Sequence, residues 1–283
     1  MMHHVMLTPA VGIAEQKDLA MSEFHVLTGA DDTSALPVRT IGFSDLTDAL
    51  KSGVDDFWAW PTHAIFLFLI YPLVGLVLGG LTLGYAVLPL LFPLAAGFAL
   101  LGPVAALMMY ELSRRREKGE PPSFGAALGV VRSPSFPAIV AIGLLLMGLF
   151  LAWIYVAREI YQSLFGVLAP DSVTTFIKDV FTTSAGWKLM LIGNAAGFVF
   201  ALVAFCISAI SFPLLLDRDV GAAVALMTSL RAIAKNPVVM AAWGLIVAAL
   251  LVLGSLPAFV GLAVVMPVLG HATWHLYRKL IGR

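Results

Sequence analysis

Two histidines near the end of the chain have the residue type and spacing best suited to chemistry. His271 and His275 lie in the stretch GHATWHLYRK, which runs from Gly270 to Lys279. In a helix, residues four apart share one face and are separated by about 6 Å along the axis. Neutral imidazole binds zinc, copper and haem iron. The pair therefore indicates a candidate metal or haem site.

A third histidine, His63, stands at the start of the first apolar segment of the chain. If the first and last apolar segments meet the same membrane surface, His63, His271 and His275 lie at similar depth. The alternative interpretation is that each imidazole hydrogen-bonds to water, lipid phosphate or a neighbouring helix end. We therefore treat the three histidines as candidate metal ligands, and the sequence leaves the identity of any cofactor unknown.

The sequence contains no recognisable catalytic motif. It has no nucleophile elbow, phosphate-binding loop or zinc-protease motif. Asp55 and Asp56 are adjacent and face different directions on a helix, which predicts a solvated face rather than an acid/base pair. The net charge is zero, so there is no electrostatic indication of nucleic-acid binding. These observations predict a protein that is not an enzyme.

The candidate ligands belong to a chain dominated by apolar segments, with 60% hydrophobic and 12% charged residues. A membrane-spanning helix needs about 20 apolar residues. Six segments qualify, at residues 62–82, 87–110, 138–158, 189–214, 238–255 and 258–277. The turn sequences GGLTLGYA and GSLP divide the first and last pairs, which predicts hairpins. We expect a flexible cytoplasmic tail over residues 1–38 and a six-span, all-α membrane domain over residues 39–283.

The positions of Lys and Arg predict the orientation of these spans. With six spans, fourteen of these residues fall on the side of the termini and three on the other side. The positive-inside rule then places both termini in the cytoplasm. Trp274 and Tyr277 are expected at the lipid–water interface, where the sixth span ends.

Short helical stretches that end in proline precede the first, third and fifth predicted spans. They cover Asp45–Pro61, Gly125–Pro137 and Gly221–Pro237, and we interpret them as amphipathic helices on the cytoplasmic surface. An insertion predicts a further helix on the periplasmic side, at about residues 171–183, with Asp171 as its cap. The apolar stripe of that helix would contact lipid, its own bundle or a partner protein.

Four strings resemble a known family: SFPLLLDRDVG (Ser211–Gly221), KNPVVMAAWG (Lys235–Gly244), TTSAGWKLMLIGNAAGF (Thr182–Phe198) and GHATWHLYRK. They are similar to the DUF2189 family of predicted bacterial integral membrane proteins, over roughly Arg39 to Lys279. The resemblance implies a multi-span protein of the bacterial inner membrane, with no established reaction. Some relatives are labelled cytochrome c oxidase subunit I, but three histidines at the membrane edge do not match the buried ligands of that catalytic subunit.

Three functions follow as alternatives. The first is a non-enzymatic structural, accessory or assembly component of a membrane complex. A respiratory complex is one candidate for that partner. The second is a metal- or haem-binding membrane protein that uses His63, His271 and His275. The third is a carrier for an apolar or lipid-like solute, because three hairpin units would surround a central cavity and the predicted spans contain almost no charge.

Overall fold

The computed structural model describes residues 26, 36–60, 85–98, 102–121, 123, 125, 128–257 and 260–282. The regular structure of these residues is helical. In chain order the α-helices are α1 (Phe43–Ala59), α2 (Leu91–Phe98), α3 (Gly102–Ala105), α4 (Leu107–Glu117), α5 (Phe136–Phe165), α6 (Val173–Thr182), α7 (Ser184–Ser208), α8 (Ser211–Asp217), α9 (Gly221–Lys235), α10 (Pro237–Ser255) and α11 (Leu262–Ile281). Short 3-10 helices cover Tyr85–Leu90 and Leu128–Arg132.

Three helical stretches of the described chain are long and apolar enough to cross a membrane. They are Phe136–Phe165, Ser184–Asp217 and Pro237–Ser255, and they contain the predicted spans 138–158, 189–214 and 238–255. The helix α11 covers most of the sixth predicted span, 258–277, but is not one of the three, because its second half carries two histidines, Arg278 and Lys279. The six-span arrangement stays a prediction.

The second predicted span, 87–110, is not one continuous helix. The 3-10 helix at Tyr85–Leu90, α2, α3 and α4 divide it instead. Proline removes a backbone donor and clashes with the preceding turn, and this segment contains Pro89, Pro93 and Pro103. Residues 62–82, the predicted first span, lie outside the described residues.

Helices occupy two of the three stretches that precede predicted spans. They are α1 and α9. In the second stretch Gly125 is α-helical and Leu128–Arg132 form a 3-10 helix, so a continuous amphipathic helix over Gly125–Pro137 stays a prediction. The next residues, Ser133 and Pro134, favour a turn because proline restricts the residue before it to extended conformations.

The helix α6 forms where the insertion was predicted, but its cap is not Asp171. The side chain of Ser172 occupies the N-cap position and accepts a hydrogen bond from the backbone N–H of Thr175, at 3.1 Å. A serine at this position satisfies one of the free amides of the first turn. By its connections, α6 lies between the end of α5 and the start of α7.

The second half of α11 is the centre of the described fold. It packs most extensively against α1 and also contacts α4, α8 and α10. Trp274 and Tyr277 are 0% exposed, so they lie inside the protein, and their depth in the membrane stays a prediction. Their polar atoms explain the burial, because the Trp274 indole donates to Glu117 and the Tyr277 hydroxyl donates to Asp217.

Candidate functional site

Five polar side chains from three helices meet where α1, α4 and α11 cross. We call this group the Asp56 cluster. Its members are Asp56 of α1, Ser113 and Arg116 of α4, and His271 and His275 of α11. Asp56, Ser113 and His271 are 4%, 1% and 1% exposed. An aspartate is almost never buried to this degree unless it is paired.

Two glycines allow the three helices to approach closely enough for these contacts. A Cβ atom on Gly53 of α1 would lie 2.7 Å from the Cβ of Ala272 in α11. A Cβ atom on Gly270 of α11 would lie 2.8 Å from the Cβ of Met109 in α4. Gly53 is one turn before Asp56, and Gly270 directly precedes His271. The glycines therefore bring the polar side chains into hydrogen-bonding range.

The carboxylate of Asp56 is the common acceptor of the cluster. Its Oδ2 atom accepts from the Ser113 hydroxyl at 2.5 Å and from Nε2 of His275 at 2.8 Å. Its Oδ1 atom is paired with the guanidinium of Arg116. Burial by itself raises the pKa of Asp56, but the hydrogen bonds from His275 and Ser113 and the charges of His275 and His271 outweigh it. The net effect lowers the pKa of Asp56 to about 2, so this side chain is ionised at neutral pH.

The ionised carboxylate determines where the protons of the cluster lie. Asp56 can then only accept, so the single hydroxyl proton of Ser113 points to Asp56. The Ser113 oxygen is 2.8 Å from Nδ1 of His271 and has no second proton to donate. Nδ1 of His271 must therefore carry a proton and donate it to Ser113. In the neutral imidazole this leaves a bare lone pair on Nε2.

The lone pair of His271 is buried without a partner. Among the residues that the structure describes, one buried side-chain nitrogen or oxygen atom lacks a hydrogen bond, and it is Nε2 of His271. An unpaired buried polar atom costs about 1–3 kcal/mol and calls for an explanation.

The order of hydrogen bonds differs from that of a serine hydrolase. In a catalytic triad the serine donates to histidine, and the histidine donates to the carboxylate. Here Ser113 donates directly to Asp56, while His271 donates to Ser113. Ser113 is also 1% exposed. The arrangement instead resembles the outer partners of a metal-bound histidine, which hydrogen-bond to the ring nitrogen that does not hold the metal.

The structure brings together two of the three histidines that the sequence singled out. His271 and His275 share the predicted face of α11, and both turn toward Asp56, with His271 Nδ1 at 3.8 Å and His275 Nε2 at 2.8 Å from Oδ2. His63 lies outside the described residues. Within those residues no group of three or more histidine, cysteine, aspartate or glutamate side chains is placed to hold a metal ion. The three-histidine site therefore stays a prediction.

The sequence interpretation of Asp56 as a solvated residue is wrong, and it missed Ser113 and Arg116. The spacing of Leu46, Ala49, Gly53 and Asp56 places all four on one helical face. All four are buried, so a strict reading of the helical period was a signal for Asp56. Ser113 and Arg116 carry no comparable signal, because serine and arginine at the end of an apolar helix are ordinary.

The sequence profile of a family described as "Predicted integral membrane protein (DUF2189)" matches residues 91–217 of this chain. The resemblance seen in the sequence is therefore confirmed for this part. Ser113 and Arg116 lie inside the matched range, whereas Asp56, His271 and His275 lie outside it. No curated protein and no solved structure gives a significant match to the chain. The protein is thus a predicted integral membrane protein.

Proposed function

We propose that this protein binds a transition-metal centre in the membrane, with Nε2 of His271 as a ligand. The observation that carries the proposal is the buried lone pair of His271, which has no partner in the described chain. The shared chemistry is imidazole coordination of a metal, supplied as a free ion or as haem iron. In the case of haem iron, the porphyrin would supply most of the remaining ligands.

The hydrogen bonds around His271 support this proposal. A metal-binding histidine needs one nitrogen free of its proton and the other nitrogen held by an acceptor. The Ser113 oxygen is 2.8 Å from Nδ1 of His271, and Asp56 orients the Ser113 hydroxyl at 2.5 Å. These two hydrogen bonds fix both the orientation and the tautomer of the His271 ring. His275 has the opposite arrangement, because its Nε2 is occupied by Asp56.

The proposal is tested on the full-length protein purified from membranes in a mild detergent. A visible absorption spectrum detects haem, and elemental analysis detects zinc, copper, nickel or iron. We expect either a Soret band or one metal ion in stoichiometric amount. The absence of both from protein that is monodisperse and folded by circular dichroism would refute the proposal.

Three substitutions distinguish the proposed ligand from the residues around it. In His271→Asn, the amide NH₂ replaces the Nδ1 donor to Ser113, while the Nε2 atom is lost, so metal binding should disappear. Ser113→Ala keeps the ligand but removes its orienting partner, so affinity should fall by about 10- to 100-fold. In His275→Gln, the amide NH₂ replaces the Nε2 donor to Asp56, and metal binding should persist. Loss of the metal in His275→Gln but not in His271→Asn would show that His275 is the ligand and would contradict the proposal.

We also infer that the protein is not an enzyme. Ser113, the hydroxyl nearest to a histidine and a carboxylate in the cluster, is 1% exposed, and its proton is directed to Asp56. A nucleophile needs a base that takes its proton and a path for substrate. A fluorophosphonate probe tests this inference: the folded protein should not be labelled, and labelling that disappears in Ser113→Ala would contradict it.

A specific surface favours a second candidate function, as an accessory or assembly component of a membrane complex. The helix α6 has no buried residue, and Val173, Ile177 and Phe181 are 37%, 50% and 60% exposed at four-residue spacing. Such a stripe beyond the ends of two candidate spans would suit a membrane-embedded partner. Ile177→Asp should abolish co-purification of a partner, whereas Thr174→Asp on the same helix should not. Equal recovery of the partner by both variants would contradict this function.

We propose a finer arrangement together with these functions: six spans in a bacterial inner membrane, with both termini cytoplasmic. The asymmetry of fourteen Lys and Arg residues against three supports it. The test replaces Cys206 by serine and introduces single cysteines at Lys178 and Lys235. A membrane-impermeant thiol reagent added to intact cells should label position 178 and not position 235.

A further inference from the structure

A groove between α2, α5 and α7 has the properties of a second binding site. Its volume is about 260 Å³. Trp153 of α5 is 3% exposed and lies at its base, while Phe92 of α2 and Phe198 of α7 line it and are 65% and 68% exposed. The groove therefore opens on the outer surface of the bundle. Its walls belong to α5 and α7, two of the helical stretches that are long and apolar enough to cross a membrane.

The shape of the groove is fixed by the packing around Trp153. The indole Nε1 of Trp153 donates to the carbonyl oxygen of Pro93 at 2.9 Å. A Cβ atom on Gly197 would lie 3.1 Å from the indole ring, so glycine at this position leaves room for Trp153. A Cβ atom on Gly193 would meet nothing within 4 Å. The base of the groove is rigid, and the space in front of Gly193 is free.

Asn194, whose side chain is exposed, contributes the polar amide of this apolar groove. It lies seven residues after Trp187, which is 61% exposed near the start of α7, and so is about 10 Å further along the helix axis. Its side-chain NH₂ donates to the Met190 carbonyl at 2.7 Å. Because a carbonyl can only accept, the amide oxygen is the atom left over, and it accepts no hydrogen bond from any described residue. Inside a bilayer no water replaces the missing donor.

The chemistry of the lining defines the class of ligand. None of the ten residues that line the groove is charged, so a charged ligand would lose its hydration without gaining a partner. Aromatic side chains contact aromatic rings favourably in stacked or edge-on arrangements. The oxygen of Asn194 requires a hydrogen-bond donor, which a hydrocarbon chain lacks. We propose that the groove binds a neutral aromatic ring bearing a hydroxyl group, which enters from the bilayer and donates to Asn194.

The test compares two probes that differ in one hydroxyl group, 2-naphthol and naphthalene. Their fluorescence is titrated with the full-length protein in lipid nanodiscs, and empty nanodiscs correct for partition into lipid. We expect 2-naphthol to bind about five- to tenfold more tightly than naphthalene, because this ratio corresponds to the free energy of one hydrogen bond. Asn194→Leu keeps the volume of the side chain and removes its oxygen, so this preference should disappear.

A second pair of variants tests the location of the site. Gly193→Leu fills the free space of the groove and should abolish binding of both probes. Gly148→Leu lies on α5, where a Cβ atom also meets nothing within 4 Å, and should bind as the unmodified chain does. Equal affinity for the two probes, or an unchanged preference in Asn194→Leu, would overturn the proposal and identify the groove as a site for lipid chains. A change of oligomeric state in Gly193→Leu alone would overturn it in favour of contact with a second copy.

Discussion

Replacement of Asp56 by asparagine isolates the charge at the centre of the Asp56 cluster. The substitution keeps the shape of the side chain and removes the carboxylate that accepts from Ser113, His275 and Arg116. Arg116 is partly exposed and can turn to solvent, so its pairing contributes little. The buried hydrogen bonds from Ser113 and His275 carry most of the effect. We expect a weaker attachment of α1 to α4 and α11.

The size of the effect follows from the pKa of Asp56. The folded protein lowers this pKa from the usual 3.8 to about 2, which corresponds to about 2 kcal/mol of stability for the ionised form. A lowered carboxyl pKa contributes its full stability above the unfolded value and loses it as the pH falls through the folded value. The contribution of Asp56 should therefore be complete above about pH 5, and should vanish between about pH 4 and pH 2. His271, His275 and Arg116 are the charged or titratable groups that face it.

The assay is chemical unfolding of the purified protein in detergent micelles, followed by circular dichroism. At pH 7 the free energy of unfolding of Asp56→Asn should be about 2 kcal/mol lower than that of the unmodified chain. At pH 2 the two proteins should be nearly equal, because protonated aspartate resembles asparagine. Asp55→Asn is the matched control, since Asp55 is exposed on the same helix and should show no difference at either pH. A gap between Asp56→Asn and the unmodified chain that is equal at pH 7 and pH 2 would refute the reasoning.

Two further predictions concern helix packing and capping. Gly53→Ala should lower the free energy of unfolding by about 1–3 kcal/mol, because its Cβ would lie 2.7 Å from Ala272; Gly148→Ala, in open space, should have no such effect in the same unfolding assay. Ser172→Ala should speed amide hydrogen exchange in the first turn of α6 by about fivefold, since a lost cap costs about 1 kcal/mol. Asp171→Ala should leave that exchange unchanged, and equal effects of the two would contradict the assignment of Ser172 as the cap.

Local sequence patterns predicted most of the helices but not how complete each one is. Long apolar runs without proline in their centres became α5, α7 and α10, with boundaries within seven residues of the expected spans. The run from residue 87 to residue 110 broke into short helices, because its prolines cannot donate to the helical hydrogen bonds. Hydropathy measures the apolar side chains of such a run but does not include the backbone N–H groups that proline lacks.

Burial of aromatic residues was the least predictable feature. Trp58 precedes the first apolar segment, and Trp274, which was expected at the lipid interface, lies near the end of the last one. Trp58 is 78% exposed, while Trp274 is 0% exposed. The difference arises because Trp274 has Glu117 as a hydrogen-bond partner. That partner is 157 residues away in the chain, and no local pattern contains it.

The sequence by itself determined that the chain is helical and membrane-embedded, and that His271 and His275 share one helical face. These properties depend on composition and on the period of the helix, which are local. Only the tertiary structure decided that the two histidines differ. Ser113 and Asp56, 158 and 219 residues away from the histidines they contact, occupy Nδ1 of His271 and Nε2 of His275. These long-range contacts occupy different ring nitrogens in the two histidines. Nε2 of His271 is therefore left without a partner, and His271 is the imidazole that is available as a ligand.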